Sequence, residues 1–293
     1  MRDVPWSRRP FAPACVGRGL PDIAEAMTAP LVLLGCGYTL TRFARVEARS
    51  GREVLATTRD AARRAVLEGA GVRVLSLDEA LARVEGAHVV DSVPPEAGLD
   101  AHFADLLSRA RPSRLVYLSS TGVYGSARGH VDETTPVDTA SPVARARLEA
   151  EARFLPLGAS VMRIAGIYGP GRGTSGRLKA GTLRIPESGG GRLSRIHVDD
   201  LVDAVRVVLE RGAPGEVYCV ADRRPATQEE TATWLCQHLS LPMPPRVPFA
   251  SLHESLRGDR AISGAKLEAL GWTPRYPDFT TGFVAAMEEE ARG

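Results

Sequence analysis

Apolar and polar positions along this chain form short runs that switch between two periods. Leu31–Leu34 is a compact apolar run. Segments of similar length recur at Glu53–Thr58, Val72–Leu77, Ala87–Val93, Arg114–Ser119 and Ser160–Ile164. Each has the length of a strand, and the mostly apolar run at Ala87–Val93 suits a strand buried on both faces. Between the runs the apolar residues take helical spacing. Leu40, Phe43, Ala44 and Val46 mark one face of a helix over 38–50, and further helices are expected over 99–110 and 142–154. Strands alternating with helices predict an α/β fold, a doubly wound parallel sheet of Rossmann type. In such sheets ligands bind beyond the carboxyl ends of the strands. The residues of interest are therefore 35–40, 58–59, 92–95, 119–125 and 165–171.

Beyond residue 166 the alternation loosens. Gly169-Pro170-Gly171-Arg172-Gly173 and Gly189-Gly190-Gly191 read as loops. A helix over 200–210, a strand over 216–220 and helices near 227–238 and 279–290 follow. The expected organisation is a sheet domain over 29–165 and a smaller C-terminal substrate or lid domain over 166–293, partly interwoven with the first. Residues 1–28 carry Pro5, Pro10, Pro13 and Pro21 with several arginines and no sustained period. They are expected to be a poorly ordered extension. They lack the apolar core of a secretory signal, and Met27 would be a natural start. A functional tail or organelle address is the alternative.

Composition narrows the classes. The 293 residues are 44% hydrophobic and 25% charged, with a formal net charge of +2, as in an ordinary globular protein. The basic residues are dispersed, so no nucleic-acid partner and no membrane-surface helix are expected. No apolar run approaches the ~20 residues of a membrane span. Cys15, Cys36, Cys219 and Cys236 lack metal-ligand spacing and read as reduced thiols in a cytoplasmic protein. No metal is expected, and the chain is taken as a monomer or homodimer acting on a small-molecule substrate.

The first strand runs into Gly35-Cys36-Gly37 and then a helix, the opening of a dinucleotide-binding unit. Gly35 permits the tight turn. Gly37 lets the backbone approach a pyrophosphate seated on the N–H groups of Tyr38, Thr39 and Leu40. Leu40 replaces the third glycine of the fingerprint, which predicts a wider gap between strand and helix. The second strand ends at Thr58-Arg59 rather than at the carboxylate that binds the ribose of NAD. A guanidinium suits a 2′-phosphate, so NADP is expected rather than NAD. Asp60 competes for that role or caps the next helix. Ser92 and Val93, after the fourth strand, complete the expected cofactor contacts.

Four segments then resemble one family in order: Tyr-Leu-Ser-Ser-Thr-Gly-Val-Tyr-Gly (117–125), Arg-Ile-Ala-Gly-Ile-Tyr-Gly-Pro-Gly-Arg (163–172), Arg-Ile-His-Val-Asp-Asp (195–200) and Leu-Gly-Trp-Thr-Pro-Arg-Tyr-Pro (270–277). They are similar to the extended short-chain dehydrogenase/reductases, the NAD(P)-dependent epimerase/dehydratase group. The resemblance covers roughly residues 30–288. It implies a Ser/Thr hydroxyl that orients the substrate, a Tyr-x-x-x-Lys dyad that transfers a proton and holds the ribose, and hydride exchange with the nicotinamide. The serine falls on Ser120, with Thr121 beside it. The tyrosine position is Val143 and the lysine position is Arg147.

Valine has no proton to give, so two functions stay open. One is an NADP-dependent oxidoreductase or epimerase acting on a small polar substrate, sugar- or nucleotide-linked. The other is a catalytically silent NADP-binding sensor or docking protein. The enzyme needs a substitute acid. Tyr124 and Tyr168 are the nearest, each with a structural reading as a turn ring or a pocket wall. Asp91 is a paired structural group or a site carboxylate. His197 touches substrate or merely closes a helix entry, and Asp199 caps the helix that follows. Arg163 is expected to pair with Asp199 or Asp200.

Overall fold

The computed structural model describes residues 29–96, 99–253 and 256–292. The expectation for residues 1–28 lies outside the described residues.

Seven parallel strands form the central sheet: β1 (Leu31–Leu34), β2 (Val54–Thr57), β3 (Arg73–Leu75), β4 (His88–Asp91), β5 (Arg114–Ser120), β6 (Ser160–Ile164) and β7 (Val217–Val220). Their order is β7-β6-β5-β4-β1-β2-β3. The order reverses at β1, which pairs with β2 on one side and β4 on the other, so the crevice for a ligand opens there.

Alternation along each strand sends residues to opposite faces. Leu31 and Leu33 pack with Leu40 and Phe43 of α1 (Tyr38–Arg49) and Leu201 and Val205 of α6 (Val198–Arg211). Val32 and Leu34 face a second core. It holds Phe103 and Leu107 of α4 (Leu99–Ala110) and Ala150 and Phe154 of α5 (Pro142–Phe154). Helices therefore cover both faces, as expected of a doubly wound sheet. Two shorter helices, α2 (Ala61–Gly69) and α3 (Leu77–Leu81), connect the strands at the β3 edge.

Local chemistry sets the helix starts. The Asp60 carboxylate accepts the Arg63 N–H at 3.0 Å and caps α2, the second of its two expected roles. Ser141 caps α5, with Pro142 in the first turn where its missing N–H costs nothing. Helix α6 begins at Val198, earlier than expected, and Asp199 does not cap it. The His197 Nδ1 accepts the Asp199 N–H at 3.2 Å, and the Asp199 carboxylate is drawn off to Arg42.

The second half is tied to the first. It supplies edge strand β7 and helix α6, and residues 259–262 pair in parallel with 128–131. A separate core of Tyr168, Leu178, Leu235, Phe279 and Phe283 joins α7 (Gln228–Leu239) and α8 (Phe279–Arg292) to the loops. None of the described helices is long and apolar enough to cross a membrane. The three described cysteines, Cys36, Cys219 and Cys236, are buried free thiols.

Candidate functional site

The glycine turn is built as a cradle. Gly35 has φ +75°, and a Cβ there would lie 2.9 Å from the Val93 side chain and 3.1 Å from its backbone nitrogen. Only glycine fits. The Gly35 N–H donates to Thr57 Oγ1 at 2.9 Å, which fixes the turn against the end of β2. Gly37 is the N-cap of α1, with no side chain capping the first turn, and a Cβ on Gly37 would meet nothing within 4 Å. Open space above uncapped N–H groups is what a dinucleotide pyrophosphate requires. The residues present fit such a cofactor.

The Leu40 side chain does not belong to that surface. It is fully buried in the α1–α6 core, so the side chain packs and only the Leu40 N–H is left for a cofactor. The helix uses leucine where a closer strand–helix approach would need glycine. Thr58 Oγ1 accepts the Asp60 N–H. Arg59 is exposed at the mouth of β2 and takes part in no ion pair among the described residues, whereas Arg63 pairs with Asp60 and Arg64 with Glu68.

A cleft of about 550 Å³ opens at the carboxyl ends of the strands. Thr39 and Ser92 line it on the cofactor side, Ser120, Thr121, Val143 and Arg147 in the middle, and Tyr168 on the far wall. Ser120 ends β5 and accepts the Gly122 N–H at 3.0 Å. Thr121 donates to the Ile164 carbonyl. Arg147 sits one helical turn beyond the exposed Val143 and donates to the Leu118 carbonyl at 3.4 Å, so the lysine position faces the end of β5.

Neither tyrosine supplies the missing acid. Tyr124 is buried, and its hydroxyl lies 3.1 Å from Arg163 Nη1 and 3.2 Å from Cys219 Sγ. It holds the turn from behind and does not line the cleft. Burial raises its pKa. The Tyr168 ring forms cleft wall, but its hydroxyl points to the Asp278 carbonyl at 3.5 Å. A Cβ on Gly282 would lie only 2.0 Å from that hydroxyl. Burial again raises the pKa, and both hydroxyls are engaged within the fold. Asp91 is fully buried, accepts the Val93 N–H at 2.8 Å, and is pushed up to about 7 by burial. It supports the cradle from beneath. His197 is buried between Tyr168 and Tyr276, is driven down to about 4 by burial, and caps α6.

Arg163 does not reach Asp199 or Asp200. It pairs inside the fold with Glu151, and Asp200 instead accepts the N–H groups of Arg275 and Tyr276. The reason is register. β6 places Arg163 beside Ser119 of β5, under α5 rather than at the seam between the two halves.

The sequence reading also missed the charge of the cleft. Arg147, Arg172, Arg177, Arg192, Arg195 and Arg260 line it, together with His253 and without any Asp or Glu among the described residues. These arginines come from distant segments, so no local motif announces them.

The fold has known counterparts. Residues 96–221 match the model of the NAD dependent epimerase/dehydratase family. That segment is similar to the family, in line with the motifs that resemble it. It is 32% identical over 168 residues to a 3-diazoavenalumate denitrifying reductase from a Streptomyces species, a match covering 52% of this chain and 55% of the relative. The chain thus spans about half the length of that relative. A functionally unknown conserved protein from Silicibacter pomeroyi DSS superposes with a TM-score of 0.80 and 30% identity, over 89% of this chain and 99% of that one. A dTDP-glucose 4,6-dehydratase from Bacillus anthracis, solved in complex with NAD, gives a TM-score of 0.75 at 18% identity over 90% and 97% of the two chains. The last likeness is one of fold. The family is NAD-dependent as described, and family and relatives point to an enzyme class.

Proposed function

We propose that this protein is an NADP-preferring oxidoreductase acting on a small polar substrate that carries negative charge, as a sugar- or nucleotide-linked compound does. The observation that carries the reading is the cleft in which Ser120 and Arg147 stand together, lined by six arginines, of which Arg192 is paired with Asp259. Arginine-rich walls suit carboxylate or phosphate oxygens. Thr58-Arg59 in place of a carboxylate supports NADP over NAD.

When bound, the cofactor supplies or accepts hydride at its nicotinamide. The chain's own work is orientation and charge. The Ser120 hydroxyl donates to the substrate oxygen next to the reacting carbon. Arg147, held through the Leu118 carbonyl, places a permanent positive charge where a ribose hydroxyl or a developing oxyanion lies. Val143 moves no proton. The site therefore suits reduction of an acceptor that does not become an alkoxide, or one protonated by His253, histidine being the commonest proton-transfer side chain. The name of the reductase relative supports placing reduction ahead of epimerisation. The alternative, a catalytically silent NADP sensor or docking protein, rests on Val143 and Arg147 in place of the dyad.

The test is NADPH oxidation against a panel of carboxylated and phosphorylated acceptors. Turnover that falls by about 10²-fold in Ser120→Ala is the expected result. Tight NADPH binding with no turnover on any acceptor would select the sensor instead.

A further inference from the structure

The loop that follows residues 166–168 crosses to the cofactor side of the cleft. The Tyr38 hydroxyl donates to the Pro170 carbonyl at 2.9 Å. Gly169 and Arg172 exchange backbone hydrogen bonds at 3.0 and 3.1 Å. The Gly171 N–H donates to Glu290 at 2.8 Å. Gly169 has φ +157°, and a Cβ there would lie 2.6 Å from the Tyr38 hydroxyl and 2.7 Å from the Val198 side chain. Glycine is required for this close crossing. The loop is thus pinned over Tyr38, the first residue of α1.

Arg172 sits on this loop with its guanidinium carbon 5.3 Å from the centroid of the Tyr38 ring. Two arginines approach Tyr38, and they differ in partners. Arg42 is consumed by Asp199 and Glu289. Arg172 has no carboxylate partner in the described ion pairs and lines the same cleft as Thr39, the second residue of α1. The Tyr38 ring acts as a shelf that limits the rotamers of an otherwise exposed side chain. The positive charge is therefore stationed beside the uncapped N–H groups already shown to fit a pyrophosphate.

We propose that Arg172 is a cofactor-binding residue contributed by the C-terminal half. Its guanidinium donates to the dinucleotide's pyrophosphate, opposite the N-terminus of α1, so that cofactor is held by both halves of the protein. This rests on the reading that the chain binds a nicotinamide dinucleotide. The Tyr38 hydroxyl and Gly169 are positioning groups that keep the loop, and with it the guanidinium, in place.

Calorimetric titration of ADP-ribose and NADPH into the full chain tests this, because ADP-ribose carries the pyrophosphate without the reacting ring. Arg172→Ala and Arg172→Gln should each weaken both ligands on the order of 10-fold to 100-fold, the range of a charge-assisted hydrogen bond. Arg172→Lys should restore part of the loss. The affinity of the alanine variant should also depend less on salt than that of the parent, since a charged contact has gone. A purely structural prop for the loop would leave that salt dependence unchanged. Binding by both variants within twofold of the parent would overturn the proposal and assign Arg172 to the substrate. A parent that binds neither ligand would overturn the cofactor reading itself, and the proposal with it.

Discussion

The Arg163 guanidinium grips the Glu151 carboxylate inside the fold, with Nη2 2.7 Å from Oε2 and Nε 3.2 Å from Oε1. The Ser119 hydroxyl donates to the same carboxylate at 2.6 Å. Arg163 also donates to the Tyr124 hydroxyl. One buried network therefore joins α5, which carries Arg147, to the β5 end, which carries Ser120. Removing one member strands a charge in the interior. Glu151→Ala should cost about 3–5 kcal/mol of stability in urea unfolding. The double variant Glu151→Leu with Arg163→Met should recover most of that. A loss under 1 kcal/mol in the single variant would show that the pair is dispensable.

Leu40 is fully buried among α1, α6 and the sheet. Leu40→Gly should open a cavity and weaken the helix together, lowering stability by about 3 kcal/mol or more. Cofactor affinity should fall only as far as the turn loosens. Thermal unfolding read beside NADPH titration separates the two effects. Tighter binding at unchanged stability would restore leucine to the role of an obstacle.

Arg59 stands exposed where a carboxylate would select NAD. Arg59→Ala should remove ~1–3 kcal/mol of preference for NADP. Calorimetry of both cofactors checks it, and equal affinities in the unmodified protein would refute the preference.

Val143 is 68% exposed on the cleft, so a tyrosine has room there. Val143→Tyr with Arg147→Lys should raise NADPH-dependent reduction of a carbonyl panel by about 10²-fold or more, the usual yield of a placed proton donor. No gain, at unchanged NADPH affinity, would show that the cleft presents the nicotinamide in another geometry.

Asp91 is pushed up to about 7 by burial, partly opposed by the Val93 N–H, with Asp100 adding repulsion. A carboxyl whose folded pKa is raised holds its proton after the unfolded chain has lost it. Its contribution is intact below about 4 and disappears as pH climbs to about 7, at most ~4 kcal/mol for a shift of this size. Asp91→Asn keeps an oxygen for the Val93 N–H and carries no charge. The stability difference between variant and parent should therefore move in the variant's favour from pH 4 to 7. A constant difference across that window would mean that Asp91 is ionised throughout.

The sheet and its turns are legible along the chain. The β1 run, the Gly35–Gly37 turn and the helix ranges 99–110 and 142–154 are local signals, written in the periods of neighbouring residues and in caps such as Asp60 and Ser141. The resemblance also puts Val143 and Arg147 at the dyad positions. What each polar group faces depends on contacts between segments far apart in the chain. Tyr124 and Tyr168 lie beyond the carboxyl ends of strands, yet their hydroxyls turn toward Cys219 and the Asp278 carbonyl. Arg163 meets Glu151 because adjacent parallel strands share a register with the helix above them, a relation that spans 12 residues of chain. The arginines of the cleft are scattered from 147 to 260 and converge only when the second half folds over the sheet. Charge converges through long-range packing, and a window along the chain carries no record of it.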